Sequence, residues 1–181
     1  MQFSTKAGTL ALLKDKLRAA HVASLVWFTV DEWNKDRADC IKRVSSGMKV
    51  AGPWIVRSSC QREDGLKASN AGAFLSLSNI KTSDLENAIE KVIASYGSPE
   101  PRDEILVQPM LKNVKRSGVA LSHDPNTCAP YRVISWAEGS DTNSVTGGLG
   151  GRTWQKAASS VVPCSPIFEG ILVLLDELLE L

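Results

Sequence analysis

The chain has 181 residues, of which 43% are apolar and 23% charged, with a formal net charge of +1. This is the make-up of an ordinary globular protein, long enough to bury a core without staples. Its near-neutral charge removes any general electrostatic drive toward nucleic acid or acidic membrane, so neither is expected as a partner.

From the N-terminus, Thr5 to Ala20 reads as a helix, because Leu10, Leu13 and Leu17 recur at helical spacing while Lys14, Lys16 and Arg18 fall elsewhere. Leu25 to Thr29 is a short β-branched and aromatic run, hence a strand. Thr29 is placed to cap a helix that begins near Asp31 and runs to about Val44, with Glu32 in its first turn. Pro53 to Ser58 reads as a buried strand, followed by a polar loop from Ser59 to Asn70 and a strand from Ala73 to Ile80. Ser83 or Asp84 then caps a helix through Tyr96, with Leu85, Ala88, Ile89, Val92 and Ile93 on one face.

Gly97-Ser98-Pro99-Glu100-Pro101 is the clearest break and marks the expected lobe boundary. Three strands follow, at Glu104–Leu111, Gly118–Ser122 and Tyr131–Trp136, with Asp124-Pro125-Asn126-Thr127 as a turn. Gly139 to Gly151 is a glycine-rich loop, and Pro166 to Leu181 is a helix with proline at its start.

Four segments could carry chemistry. In Val56-Arg57-Ser58-Ser59 and the stretch through Ala71-Gly72-Ala73, an arginine at a strand end precedes hydroxyls and small residues. Arginine offers phosphate a planar fork of donors, and small residues let backbone N–H groups approach an anion. The same pattern also describes a surface loop with one solvated arginine. In Glu104 to Leu111, an apolar strand would set Gln108, Pro109 and Met110 beside a flat ligand such as adenine. Equally, Pro109 suits an edge strand, because it has no N–H for a ladder. His123, ahead of Asp124-Pro125, reads as a turn residue or as an acid or base. The loop Asp141 to Gly151 lacks the Gly-Lys-Ser/Thr of a phosphate-binding P-loop. The four cysteines, Cys40, Cys60, Cys128 and Cys164, include no Cys-x-x-Cys pair, and with two histidines they do not have the spacing of a structural zinc site. The opening Met1 to Lys6 lacks the apolar core of a secretory leader, so a cytoplasmic, reducing setting is expected.

Taken in order, these segments resemble the nucleotide-binding region of the pyruvate phosphate dikinase and phosphoenolpyruvate synthase family. The likeness rests on Lys6 in a small-residue helix start, Val56-Arg57-Ser58-Ser59, Glu63-Asp64, Ala68 to Gly72, Val107 to Met110, Ser117-Gly118-Val119 with Asp124-Pro125, and Thr142 to Thr146. It spans nearly the whole chain. Where family members often carry Phe-Thr after the Ser-Gly-Val strand and a glycine in the turn, this chain has Leu121-Ser122 and Cys128.

The resemblance implies an α+β, ATP-grasp-like fold of two lobes, residues 1–98 and 99–181, with the second lobe incomplete. It implies ATP as ligand, Lys6 and Arg57 as the catalytic, phosphate-contacting pair, Ala71 and Gly72 in the phosphate loop, and Gln108, Pro109 and Met110 along the adenine. The family's Asp-x-Glu site for Mg²⁺ lies beyond a helix like Pro166–Leu181, so its ligands are expected past Leu181. The expected activity is that of an ATP-dependent phosphotransferase in the parent protein, with weak nucleotide binding and no useful turnover from this chain alone. The alternative is a non-catalytic nucleotide-binding or interaction module. A Leu-rich face on the last helix suits packing on the second lobe or, alternatively, pairing with a second copy, and the phosphate acceptor is not named by the sequence.

Overall fold

The structure is a computed structural model that describes residues 5–48, 52–60, 74–139 and 151–181. It is a mixed α+β protein with five helices and two antiparallel sheets among these residues. Tertiary contacts divide the chain into two units: Met1–Lys16 with Val22–Met110, and Leu17–His21 with Leu111–Leu181.

The first unit holds α1 (Lys6–Leu13), β1 (Val26–Thr29), α2 (Val30–Lys35), α3 (Arg37–Gly47), β2 (Trp54–Ser59), β3 (Ser76–Ile80), α4 (Leu85–Ala94) and β4 (Glu104–Pro109). Its sheet has the order β1-β4-β2-β3. β4, which the sequence assigned to the second lobe, is therefore a central strand of the first sheet, paired along both sides. The Gly97–Pro101 break is a turn inside this unit rather than its end. Pro109 is tolerated because it is the last residue of β4, beyond the β1 pairing, which stops at Val107.

The helices differ from the sequence pattern in instructive places. α1 ends at Leu13 instead of continuing to Ala20. In a longer helix the Arg18 and Ala19 N–H groups would bond back four residues. Here they donate to Glu177 Oε1 and Oε2, at 2.8 and 2.9 Å. The helix expected from Asp31 to Val44 is two helices broken at Asp36, whose N–H closes α2 on Glu32 O while its carboxylate accepts from Asp39 N and caps α3. Thr29 does cap α2, and with Glu32 it forms a reciprocal capping box. Neither Ser83 nor Asp84 caps α4 by side chain: a 3₁₀ turn over Thr82–Asp84 leads into it directly.

α2, α3 and α4 bury one face of this sheet. Phe28, Val56, Ile105 and Val107 from the strands meet Trp33, Val44, Leu85, Ile89 and Val92 from the helices. Phe28 stacks on Trp33 with ring centroids 5.7 Å apart. Gly47 permits α3 to close on β1, since a Cβ there would lie 2.9 Å from Val26 Cγ2.

The second unit holds the meander β5 (Arg116–Leu121), β6 (Tyr131–Glu138) and β7 (Arg152–Ala157), followed by α5 (Pro166–Glu180). β7 has no counterpart in the sequence reading. Its stretch Arg-Thr-Trp-Gln-Lys-Ala carries one large apolar residue, too few to signal a strand, and its pairing with β6 creates it. Phe168 of α5 packs against Trp136 and Trp154, at 5.0 and 4.8 Å between centroids. Gly118 sits where no side chain fits: a Cβ would overlap Ser135 O and lie 2.9 Å from Trp136 Cα.

Candidate functional site

Alternation along the first sheet sorts its residues into two sets. Trp54, Val56 and Ser58 of β2 face the helical core together with Ile105 and Val107 of β4. The opposite face receives Ile55, Arg57 and Ser59 from β2, which lie across from Gln108, Leu106 and Glu104 of β4, and Trp27 and Thr29 from β1, which lie across from Leu106 and Glu104. Arg57 and Gln108 are thus diagonal cross-strand neighbours, about 7–8 Å apart by the geometry of antiparallel pairs.

The N-terminus of α1 is tied to this second face. Thr5 caps α1 by accepting from Gly8 N at 3.1 Å, and its hydroxyl donates to Glu104 Oε2. Ala7 N donates to Ser59 Oγ at 2.8 Å, and Ser59 Oγ donates in turn to Glu104 Oε2 at 3.3 Å. Ser59 N donates to the Tyr96 hydroxyl at 3.2 Å, and that hydroxyl donates to Glu104 O. Thr5 and Ser59 are buried. One carboxylate, two hydroxyls and a phenol therefore lock the start of α1, which carries Lys6, to the end of β2, which carries Arg57. Buried polar groups joined in this way hold their elements in a single geometry.

Of the sequence-derived candidates, Lys6, Arg57 and Gln108 belong to this face or to the helix bound on it. Lys6 and Arg57 are half-buried. The Arg57 guanidinium makes no hydrogen bond or ion pair among the described residues, and the Gln108 amide, 9% exposed, makes none either. Pro109 falls on the core-side set of β4, so Gln108 and Pro109 do not share a face. Met110 follows the strand, half-buried, its N–H donating to Pro53 O at 2.9 Å. Ala71 and Gly72 lie outside the described residues, as do Glu63-Asp64, Ala68 to Asn70 and Thr142 to Thr146.

Sequence reasoning did not single out Thr5, Ser59, Tyr96 and Glu104 as a set. They are 99 residues apart at the extreme, from Thr5 to Glu104, and none belongs to a spacing pattern of its own. Trp27, half-buried on the same face, read simply as strand. The one available signal was Thr5 itself, a good capping residue ahead of the small-residue helix start.

His123 is in the β5–β6 connection, its Nδ1 3.1 Å from Ser122 Oγ. The turn beside it is organised by Asp124, whose carboxylate accepts from Thr127 N, Thr127 Oγ1 and Asn126 N. Those bonds, led by the one from the Thr127 backbone, hold its pKa below the usual carboxylate value. Cys40 and Cys60 are buried, Cys164 is half-buried and Cys128 is exposed. Burial pushes the Cys40 thiol up, away from a reactive thiolate.

Among the described residues, no three or more His, Cys, Asp or Glu side chains gather into a metal-binding group, so no step through Mg²⁺ is assigned to them. No helix of the described residues is long and apolar enough to cross a membrane. Compared with known proteins, the chain matches no family model and no curated protein.

Proposed function

We propose that this chain is the ATP-binding region of a phosphotransferase resembling the pyruvate phosphate dikinase and phosphoenolpyruvate synthase family, with an ATP-grasp-like fold. The observation that carries the reading is the common face of the first sheet. The motif residues Arg57 and Gln108 are diagonal cross-strand neighbours there, and the helix start bearing Lys6 is bonded onto it. An arginine with no protein counter-ion and an amide with no hydrogen-bond partner among the described residues suit a ligand with an anionic end and a polar, flat end.

In this reading Lys6 and Arg57 bind the phosphates, and Gln108 and Met110 border the base. The Thr5–Ser59–Glu104 bonds set the spacing between the two cations. Mg²⁺ bound with ATP would neutralise charge developing on the transferred phosphate. The acceptor is a substrate of the parent protein.

The test is a calorimetric titration with ATP and Mg²⁺ of the native chain and of Arg57→Ala. Loss of one charged phosphate contact costs about 1.5–3 kcal/mol, roughly tenfold or more in affinity. Saturable binding that weakens by that factor supports the reading. No saturable binding by the native chain, or equal binding by the variant, overturns it.

A further inference from the structure

The second unit contains a cleft of about 250 Å³ between the β5–β6 ladder and the start of α5. Its walls are mostly apolar and include Ile134, Trp136, Phe168 and Ile171. The room exists because the strand beneath it is small: Gly118 lies opposite Trp136 and Ala120 opposite Ile134. Close contact between β5 and β6 excludes a larger residue at Gly118.

One polar group is left over at this cleft. Arg116 lines it and is exposed. It faces Glu138 across the ladder but makes no ion pair or hydrogen bond among the described residues. Ser117 is next to it in β5, but alternation turns its side chain, whose buried Oγ has no hydrogen-bond partner among the described residues, to the other face of the sheet. An apolar cleft with two aromatic walls and a free guanidinium is the chemistry of a site for a small acid with an apolar body.

We infer that this cleft binds a compact aromatic or branched-chain carboxylate, with the ring or alkyl body against Trp136 and Phe168 and the carboxylate toward Arg116. Size sets the class. An apolar cavity of about 150 Å³ accepts benzene, so about 250 Å³ accommodates one ring with a carboxyl group. The aromatic walls favour a ring by offset or edge contacts. The inference is independent of the nucleotide reading, since every lining residue lies in the second unit.

Benzoate and its uncharged analogue benzyl alcohol serve as probes, titrated separately into the ¹⁵N-labelled chain and followed by NMR. The expected result is saturable benzoate shifts at the Gly118 amide and the Trp136 indole, with benzyl alcohol about fivefold weaker. Arg116→Gln, an exposed change that leaves the packing intact, should remove that preference. Ile171→Trp, which fills the cleft, should weaken both probes, and added ATP should displace neither. The inference fails if neither probe saturates, if the shifts map to the first sheet, or if Arg116→Gln keeps the benzoate preference. Displacement of benzoate by ATP would likewise overturn it, because the cleft would then belong to the nucleotide site.

Discussion

Cys128 has φ +56°, in the left-handed region that non-glycine residues enter at a cost of about 1–2 kcal/mol. It is held there because Cys128 N donates to Asp124 O at 2.9 Å while Asp124 N donates to Ala129 O, closing the connection between β5 and β6. Glycine, which has no Cβ, takes this conformation without that cost. Cys128→Gly should therefore stabilise the second unit. The gain should be about 0.5–1 kcal/mol, because glycine also adds freedom to the unfolded chain. Urea unfolding of the two proteins reads the difference, and a lower midpoint for the glycine variant would contradict the strain argument. At this scale the sequence was informative in part. Thr29 and the Asp124 turn were readable because each acts through its immediate neighbours. The Thr5–Ser59–Glu104 set was not, because hydrogen bonds between distant residues leave no local pattern.

Among elements, α2 shows how several modest terms converge on one carboxylate. Glu32 accepts from Thr29 N at 2.8 Å and pairs with Arg43 Nη1 at 2.8 Å, while Arg43 Nη2 donates to Trp27 O. The Thr29 backbone bond, and then Arg43, hold the Glu32 carboxyl below its ordinary value of 4.5. A depressed folded value means that the charged form is the one the fold prefers. Its contribution is present above pH 4.5 and is lost as pH falls through the lower folded value. Glu32→Gln should thus cost about 0.5–1 kcal/mol at neutral pH, a small figure because both partners are partly solvated. The native and variant unfolding midpoints should converge on acidification below pH 4.5. A gap that stays constant with pH would assign the loss to packing instead. Element type was legible wherever apolar periodicity was strong, as in α4 and α5. It failed at β7, where pairing with β6 rather than composition makes the strand. It failed also at the end of α1, where Glu177 captures the backbone donors.

For the whole molecule, the division into units does not follow chain order. Leu17–His21 belongs with Leu111–Leu181, although Met1–Lys16 and Val22–Met110 on either side of it form the other unit. The two Glu177 bonds to Arg18 N and Ala19 N are part of that attachment, and they hold the Glu177 carboxyl below its usual value. Hydrogen exchange should accordingly show protected Arg18 and Ala19 amides, and Glu177→Ala should release both while leaving β4 amides unchanged. Protection that survives the substitution would mean that other contacts hold the segment. The sequence break at Gly97–Pro101 pointed to a boundary because turns and boundaries share glycine and proline. Only the pairing of β4 between β1 and β2 shows which of the two it is.

That out-of-order segment sets a schedule for biosynthesis. Arg18 and its acceptor Glu177 are separated by 159 residues. At translation rates of about 5–20 residues per second, the donor amides wait roughly 8–30 s for their carboxylate. In that interval every described strand of the first unit, and each of its helices after α1, is synthesised. The nascent chain can complete its first sheet while Leu17–His21 hangs as an unsatisfied loop, and the arrival of α5 is the event that retires it.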